Sequence, residues 1–118
     1  MRLSLLPLAA ALVGITGCAS ARAPAPLPGV ALGLAEQRAA AITDLRYDVA
    51  LTIPPRVAEP VMGTLTARFT LRDARMPLVF DFRAPPDHVL EVQVDGRSVE
   101  YTVPPDHVVI PARVLSLG

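Results

Sequence analysis

Apolar and polar residues alternate along two segments in the first part of the chain, residues 45–53 and residues 64–71. A period of two places the apolar side chains on one face of a β-strand and the polar side chains on the other. Pro54 and Pro55 follow the first segment, and proline has no N–H group to donate to a strand ladder. The pattern therefore predicts two antiparallel strands that are connected by a long loop.

Four shorter alternating segments follow, at residues 78–82, 90–94, 99–103 and 108–110. The dipeptide Asp95-Gly96 lies between the second and third of these segments, and it is a strong signal for a two-residue type I′ turn. Strands that are about ten residues apart and joined by turn residues are typical of antiparallel all-β domains. The sequence thus predicts an all-β fold, with a saddle-like sheet or a sandwich formed by residues 42–118.

Two segments of different composition precede the strands. Residues 30–41 consist almost entirely of strong helix formers and predict one short helix. Residues 18–29 are rich in alanine and proline. Such a composition favours an extended chain without regular packing, so it predicts an unstructured tether.

The N-terminus is typical of a signal peptide. Arg2 supplies a positive charge, residues 3–15 form an apolar run, and the only cysteine of the chain, Cys18, follows shortly afterwards. A run of this length favours a signal peptide over a transmembrane helix. The alternatives for the cysteine are a buried core thiol or a residue near an ordinary cleavage site.

The residues before Cys18 resemble the lipobox of bacterial lipoproteins. The resemblance implies that residues 1–17 are removed as a lipoprotein signal peptide and that Cys18 carries a lipid anchor. Ala19, rather than aspartate, follows the cysteine. This resembles the rule by which enteric bacteria sort lipoproteins to the outer membrane rather than the inner membrane. The protein is therefore expected at the outer membrane, facing the periplasm.

The composition limits the classes of partner. The 118 residues include 11 basic and 11 acidic side chains, so the net charge is zero and no basic surface for nucleic acid is predicted. Hydrophobic residues make up 52% of the chain and aromatic residues 4%, which indicates a small core of aliphatic side chains.

Candidate metal ligands occur in a repeated pentapeptide, Pro-Pro-Asp-His-Val, at residues 85–89 and 104–108. The candidates are Asp87, His88, Asp106 and His107. A hairpin at Asp95-Gly96 would bring the two copies to its open end, and aspartate and histidine are both zinc ligands. The alternative is that each copy is a solvated turn before a strand. Neighbouring residues on a strand point to opposite faces, which opposes a shared site.

No established catalytic motif accompanies these residues. The chain contains no His-Glu-x-x-His segment, no glycine-rich phosphate loop and no Gly-x-Ser-x-Gly segment. No catalytic residue is therefore assigned.

Six segments have an order and spacing that are shared with a known family: residues 34–38, 42–54, 63–71, 77–82, 92–96 and 108–111. Together they resemble the start of bacterial aminopeptidase N-type zinc metallopeptidases. The resemblance covers about residues 34–118 and consists of a β-domain pattern rather than a catalytic motif. In that family this region is a saddle-shaped N-terminal β-domain beside a thermolysin-like catalytic domain.

The resemblance implies that the chain is an incomplete N-terminal β-domain. The zinc, its ligands and the peptide substrate would belong to the complete enzyme, so this chain is expected to bind no cofactor and to be inactive alone. The apolar residues Leu115 and Leu117 agree with a domain that continues beyond Gly118. The alternative function is a free-standing periplasmic β-sandwich lipoprotein that acts as a binding or structural module.

Overall fold

The computed structural model describes residues 24–118. The predicted signal peptide, Cys18 and the first part of the predicted tether lie outside these residues. The regular elements are helix α1 (Leu32–Ala41) and strands β1 (Ile42–Thr52), β2 (Met62–Leu71), β3 (Leu78–Asp81), β4 (Gln93–Val94), β5 (Arg97–Ser98) and β6 (His107–Ile110). Short 3₁₀ turns occur at Pro86–His88 and Ala112–Val114. The described part is mainly β with one short helix, as predicted.

The strands form three small antiparallel sheets, β1–β2, β3–β6 and β4–β5. The β4–β5 hairpin lies within the connection between β3 and β6, so the β3–β6 ladder joins segments that are distant in sequence. Strands β4 and β5 are shorter than the predicted segments. The Val99 N–H still donates to the Val92 carbonyl at 3.0 Å, one step beyond the ladder.

The long β1–β2 hairpin contains a β-bulge that keeps its apolar side chains on one face. Asp44 and Leu45 together oppose Phe69, and Asp44 has a positive φ of 57°. Aspartate tolerates this left-handed conformation better than most residues. Ile42 and Leu45 are three residues apart in β1, so a regular strand would place these two apolar side chains on opposite faces. The extra residue compensates for this spacing.

The hydrophobic core lies around the β3–β6 ladder. Its buried members are Leu71, Leu78, Val79, Val108 and Ile110. Leu78 and Val79 are consecutive, so both faces of β3 are covered. The second face, which carries Val79, is covered because helix α1 lies beside the strand at this point.

The predicted turn at Asp95-Gly96 is confirmed. Both residues have positive φ, 51° for Asp95 and 74° for Gly96, and they join the paired residues Val94 and Arg97. Positive φ at both central positions is the property of a type I′ turn.

We expect Gly96→Ala to lower the free energy of unfolding by about 1 kcal/mol, because alanine is strained at positive φ. A Cβ atom at this position would meet no heavy atom within 4 Å, so only the backbone conformation is tested. Gly33→Ala in helix α1 is the matched control, since it also adds a Cβ in open space but without positive φ. Denaturant unfolding of the full chain measures both, and a Gly96→Ala chain as stable as the parent would contradict the assigned turn.

Candidate functional site

The first candidate interaction surface is the outer part of the apolar face of the long hairpin. We call it the hairpin apolar face, and it consists of Leu45, Tyr47, Val49, Leu51 and Leu65. These side chains are between 44% and 63% exposed. Tyr47 alternates with the polar residues of β1 as the other apolar residues do, but it is 53% exposed and does not lie in the core. Contiguous apolar surface of this kind is typical of sites that bind another protein segment.

The hairpin apolar face is continuous with the core. Along the same side of β2, Leu71 is buried at 5% exposure, Phe69 is half-buried and Leu65 is 55% exposed. The side chains on this side of β2 therefore become more exposed with distance from the core. The opposite face of the hairpin is polar and carries the ion pair between Asp48 and Arg68. A partner that removes apolar surface from water would lie on the first face.

A second candidate site surrounds the buried side chain of His107. Its ring is fully buried, and Nδ1 lies 3.1 Å from the carbonyl oxygen of Pro105. Nε2 lies 3.6 Å from Oδ1 of Asp81 and makes no hydrogen bond with the described residues. A nitrogen at this distance from a carboxylate is beyond normal hydrogen-bond length.

Arg38 connects helix α1 to this second site. Its Nη1 atom donates to Oδ1 of Asp81 at 3.0 Å and to the carbonyl oxygen of Val79 at 3.4 Å. Asp81 pairs with His107 in the β3–β6 ladder, so Arg38 and His107 approach the same carboxylate from two elements. Because the cluster joins a helix to both core strands, its evident role is to hold the fold together.

Asp106, another candidate ligand, is used by the chain itself. Its carboxylate accepts from the backbone N–H of Gly29 at 3.0 Å and from Nε of Arg83 at 3.4 Å. The end of the predicted tether is thereby fastened to the turn before β6. Both bonds occupy oxygen atoms that a metal ion would need.

The two copies of the repeated pentapeptide have different structures. Asp87 and His88 lie exposed in the 3₁₀ turn Pro86–His88, whereas His107 is buried in β6. Within residues 24–118, no three side chains of the types His, Cys, Asp and Glu are grouped so that they could hold a metal ion. The structure therefore does not gather the four candidate zinc ligands, and the candidate lipid site, Cys18, lies outside the described residues.

Two hollows open beside these elements, and both are small. One of about 130 Å³ lies between helix α1, the end of β2 and β3. The other, of about 260 Å³, is lined by Gly29, Asp81 and Asp106 among others. Pockets that enclose a small organic ligand usually measure about 300 to 1,000 Å³. A binding function is therefore better supported by the hairpin apolar face than by either hollow.

Asp73, which lines the first hollow, forms an ion pair with Arg75. Arg75 donates from its side chain to both carboxylate oxygens of Asp73 and from its backbone N–H to one of them. These bonds lower the pKa of Asp73 from 3.8 to about 2, the side-chain bond contributing most. Asp73 consequently stays ionised to a lower pH than an ordinary aspartate, and it is paired with Arg75 in the turn between β2 and β3.

Sequence reasoning missed Arg38 and Asp81. Arg38 lies in a segment that predicts only a helix, and Asp81 lies in a segment that predicts only a strand. The available sequence signal for this pair was one positive charge in the last turn of α1 and one negative charge at the end of β3. Pairing them required knowledge of how the helix lies on the sheet.

No protein-family model, no curated protein and no solved structure matches the chain. In the part of the chain from residue 24 onward, no helix is long and apolar enough to cross a membrane. Function must therefore be inferred from the residues and their geometry.

We expect Arg38→Met to lower the free energy of unfolding by about 1 kcal/mol. The change removes both hydrogen bonds to β3 and keeps an apolar stem of similar length, and bonds to partly exposed charges contribute about this much. Arg97→Met, in the exposed strand β5, is the matched control and should change stability by less than about 0.5 kcal/mol. Equal effects of the two substitutions in urea unfolding would show that Arg38 does not join α1 to the sheet.

Proposed function

We propose that residues 42–118 are the N-terminal, non-catalytic β-domain of a lipid-anchored zinc aminopeptidase. In the complete enzyme, a thermolysin-like domain would carry the zinc ion and remove N-terminal residues from peptides. The small antiparallel sheets would then be parts of one saddle-like sheet or sandwich. The order of the similar segments in the sequence and the mainly-β architecture support this proposal.

The observation that carries the proposal is the uncovered hairpin apolar face. Leaving Val49 and Leu51 more than 60% exposed forfeits the hydrophobic stabilisation that their burial would provide. A neighbouring domain or further strands would supply this burial. The resemblance implies both, since the family's β-domain packs beside its catalytic domain.

The chain itself would contribute an anchor and a scaffold. Cys18 would carry the lipid, residues 18–29 would span the distance from the membrane, and the core strands would support the neighbouring domain. The protein would be exported and held at the membrane facing the periplasm, at the outer membrane in preference to the inner one. The zinc ligands and the general base would lie in the catalytic domain, so the present chain would hydrolyse no peptide by itself.

Sequencing the coding DNA downstream of the Gly118 codon tests the peptidase assignment. We expect one of the three forward frames to encode a His-Glu-x-x-His segment followed by a further glutamate on a helical pattern. An authentic stop codon after Gly118, with no such segment in any frame, would contradict the assignment. The uncovered hairpin would then favour a free-standing β lipoprotein that binds its partner through this surface.

We expect Cys18→Ser to release the protein from the membrane fraction of the bacterial cells that produce it. Serine cannot form the thioether to the lipid, so incorporation of labelled fatty acid should also be lost. Ser20→Ala, two residues away, is the matched control and should leave both properties unchanged. A parent chain that incorporates no labelled fatty acid would contradict the lipoprotein assignment.

A further inference from the structure

Strand β1 has one edge that no strand covers in the described part of the chain. Among residues 24–118, β1 is hydrogen-bonded to β2 alone. It has 11 residues and contains neither proline nor lysine, which commonly protect an exposed edge from pairing. An edge of this length can accept a further strand.

The bonds of β2 determine which residues of β1 direct backbone groups to the free edge. Leu71 lies opposite β1 but exchanges both backbone hydrogen bonds with Gly118, at 3.0 and 3.1 Å, so its N–H and carbonyl point away from β1. Hydrogen-bonding direction alternates along a strand, and the β2 partners of Arg46 and Asp48 are three and five residues before Leu71. Arg46 and Asp48 therefore bond to β2. The residues that alternate with them face the free edge: Leu45, Tyr47 and Val49.

The polar face of β1 carries a positive charge that the hairpin does not neutralise. Arg46 lies directly opposite Arg68 in the ladder, and directly opposed like charges destabilise a sheet. The carboxylate of Asp48 forms an ion pair with Arg68. Within residues 24–118, Arg46 forms no ion pair. A negative charge brought to the free edge beside Arg46 would offset the repulsion.

We propose that the free edge of β1 pairs with the same edge of a second copy of the chain. The two strands run antiparallel, and the two-fold axis passes between the two Tyr47 residues. Arg46 of each copy then lies directly opposite Asp48 of the other copy. Arg46 and Asp48 share the polar face, and directly opposed residues with opposite charges stabilise a sheet. Edge charges that would repel many strands thus attract a second copy.

Other registers of the two edges are less favourable. A shift of one residue places Tyr47 opposite a residue whose backbone groups face β2, so the strands cannot bond. A shift of two residues places Asp48 opposite Asp48, or Arg46 opposite Arg46, depending on its direction. Larger shifts no longer place Arg46 opposite Asp48. The charges therefore select the register centred on Tyr47.

Strand β2 and unrelated peptides fit this pairing less well. The only charged residue of β2 is Arg68, so two β2 edges cannot form opposite-charge pairs. An unrelated strand could bond to the edge of β1, but it would need a negative and a positive side chain two residues apart to form the same ion pairs. A second copy has this spacing by its own sequence.

The shared ladder is short, so association is expected to be reversible. Asp44 has a positive φ and lies in the bulge, which limits the ladder to residues 45–49 of each copy. Five residues span about 17 Å, and such a contact is smaller than the roughly 1,200 Å² of a stable interface. The dimer leaves the hairpin apolar face open to a neighbouring domain. It therefore goes beyond the proposed function and does not depend on it.

The test reverses the two charges separately and then together. Arg46→Asp places two carboxylates opposite each other across the edge, and Asp48→Arg places two guanidinium groups there. The chain with both substitutions again places opposite charges in each pair. Dissociation constants are measured for the full chains by sedimentation equilibrium in density-matched detergent micelles.

We expect each single reversal to raise the dissociation constant at least about tenfold, because both ion pairs of the dimer become like-charge pairs. The double reversal should restore dimerisation. An equimolar mixture of the two single variants should form a mixed dimer, since every reversed charge then meets its opposite.

Three results would overturn the proposal. The first is a parent chain that stays monomeric at every concentration tested. The second is a dimer that none of the reversals weakens, which would place the contact elsewhere. The third is loss of association in both single variants without recovery in either the mixture or the double reversal.

A disulfide tests the register. In a Cys18→Ser chain, Tyr47→Cys places two thiols in a hydrogen-bonded pair whose Cα atoms are about 5.5 Å apart, within the range of a disulfide. Val49→Cys is the matched control, since Val49 is similarly exposed but lies opposite Leu45. Oxidised glutathione should cross-link the first chain at least about tenfold faster, because only its thiols are held in bonding geometry. Equal rates would overturn the register.

Discussion

The antiparallel pairing of β3 with β6 holds the described part of the chain together. The ladder places Leu78 opposite Ile110 and buries both. On its other side, β6 exchanges two hydrogen bonds with Thr102 through Val109, at 2.8 and 3.0 Å. Helix α1 is attached to the same ladder through Arg38, and the end of the tether through Asp106. Helix α1 and the end of the tether therefore depend on a short pair of strands whose burial on both faces compensates for their length.

The sequence was sufficient where structure is set by neighbouring residues. Strand periodicity identified the long β1–β2 hairpin, and Asp95-Gly96 identified the turn of the short β4–β5 hairpin, because both signals act over a few residues. The repeated pentapeptide shows where local sequence no longer determines the structure. In both copies the histidine N–H donates to the carbonyl of the first proline, at 3.0 Å in one and 3.1 Å in the other. Only Asp106 adopts positive φ, 65°, and only His107 is buried. Identical local sequences thus differ because one precedes a core strand.

The candidate site was less accessible to sequence reasoning than the fold. The alternating pattern of β1 correctly grouped Tyr47 with Val49 and Leu51 but did not reveal that the group lacks cover, because alternation specifies a face and not what lies upon it. The bonds between Leu71 and Gly118 likewise depend on how the chain returns to β2. For function, the consequence is that the hairpin carries both an exposed apolar surface and an outer strand edge that pairs with no strand among residues 24–118.

The two-residue turn at Asp95-Gly96 also affects a part of the fold that it does not touch. Strands β3 and β6 can pair only after the whole segment from residue 82 to residue 106 has been closed into a loop, and the chain entropy lost in closure grows with loop length. By holding Val92 against Val99, the turn shortens the part of this segment that is still free. We infer that the smallest hairpin lowers the entropic cost of closing the core ladder.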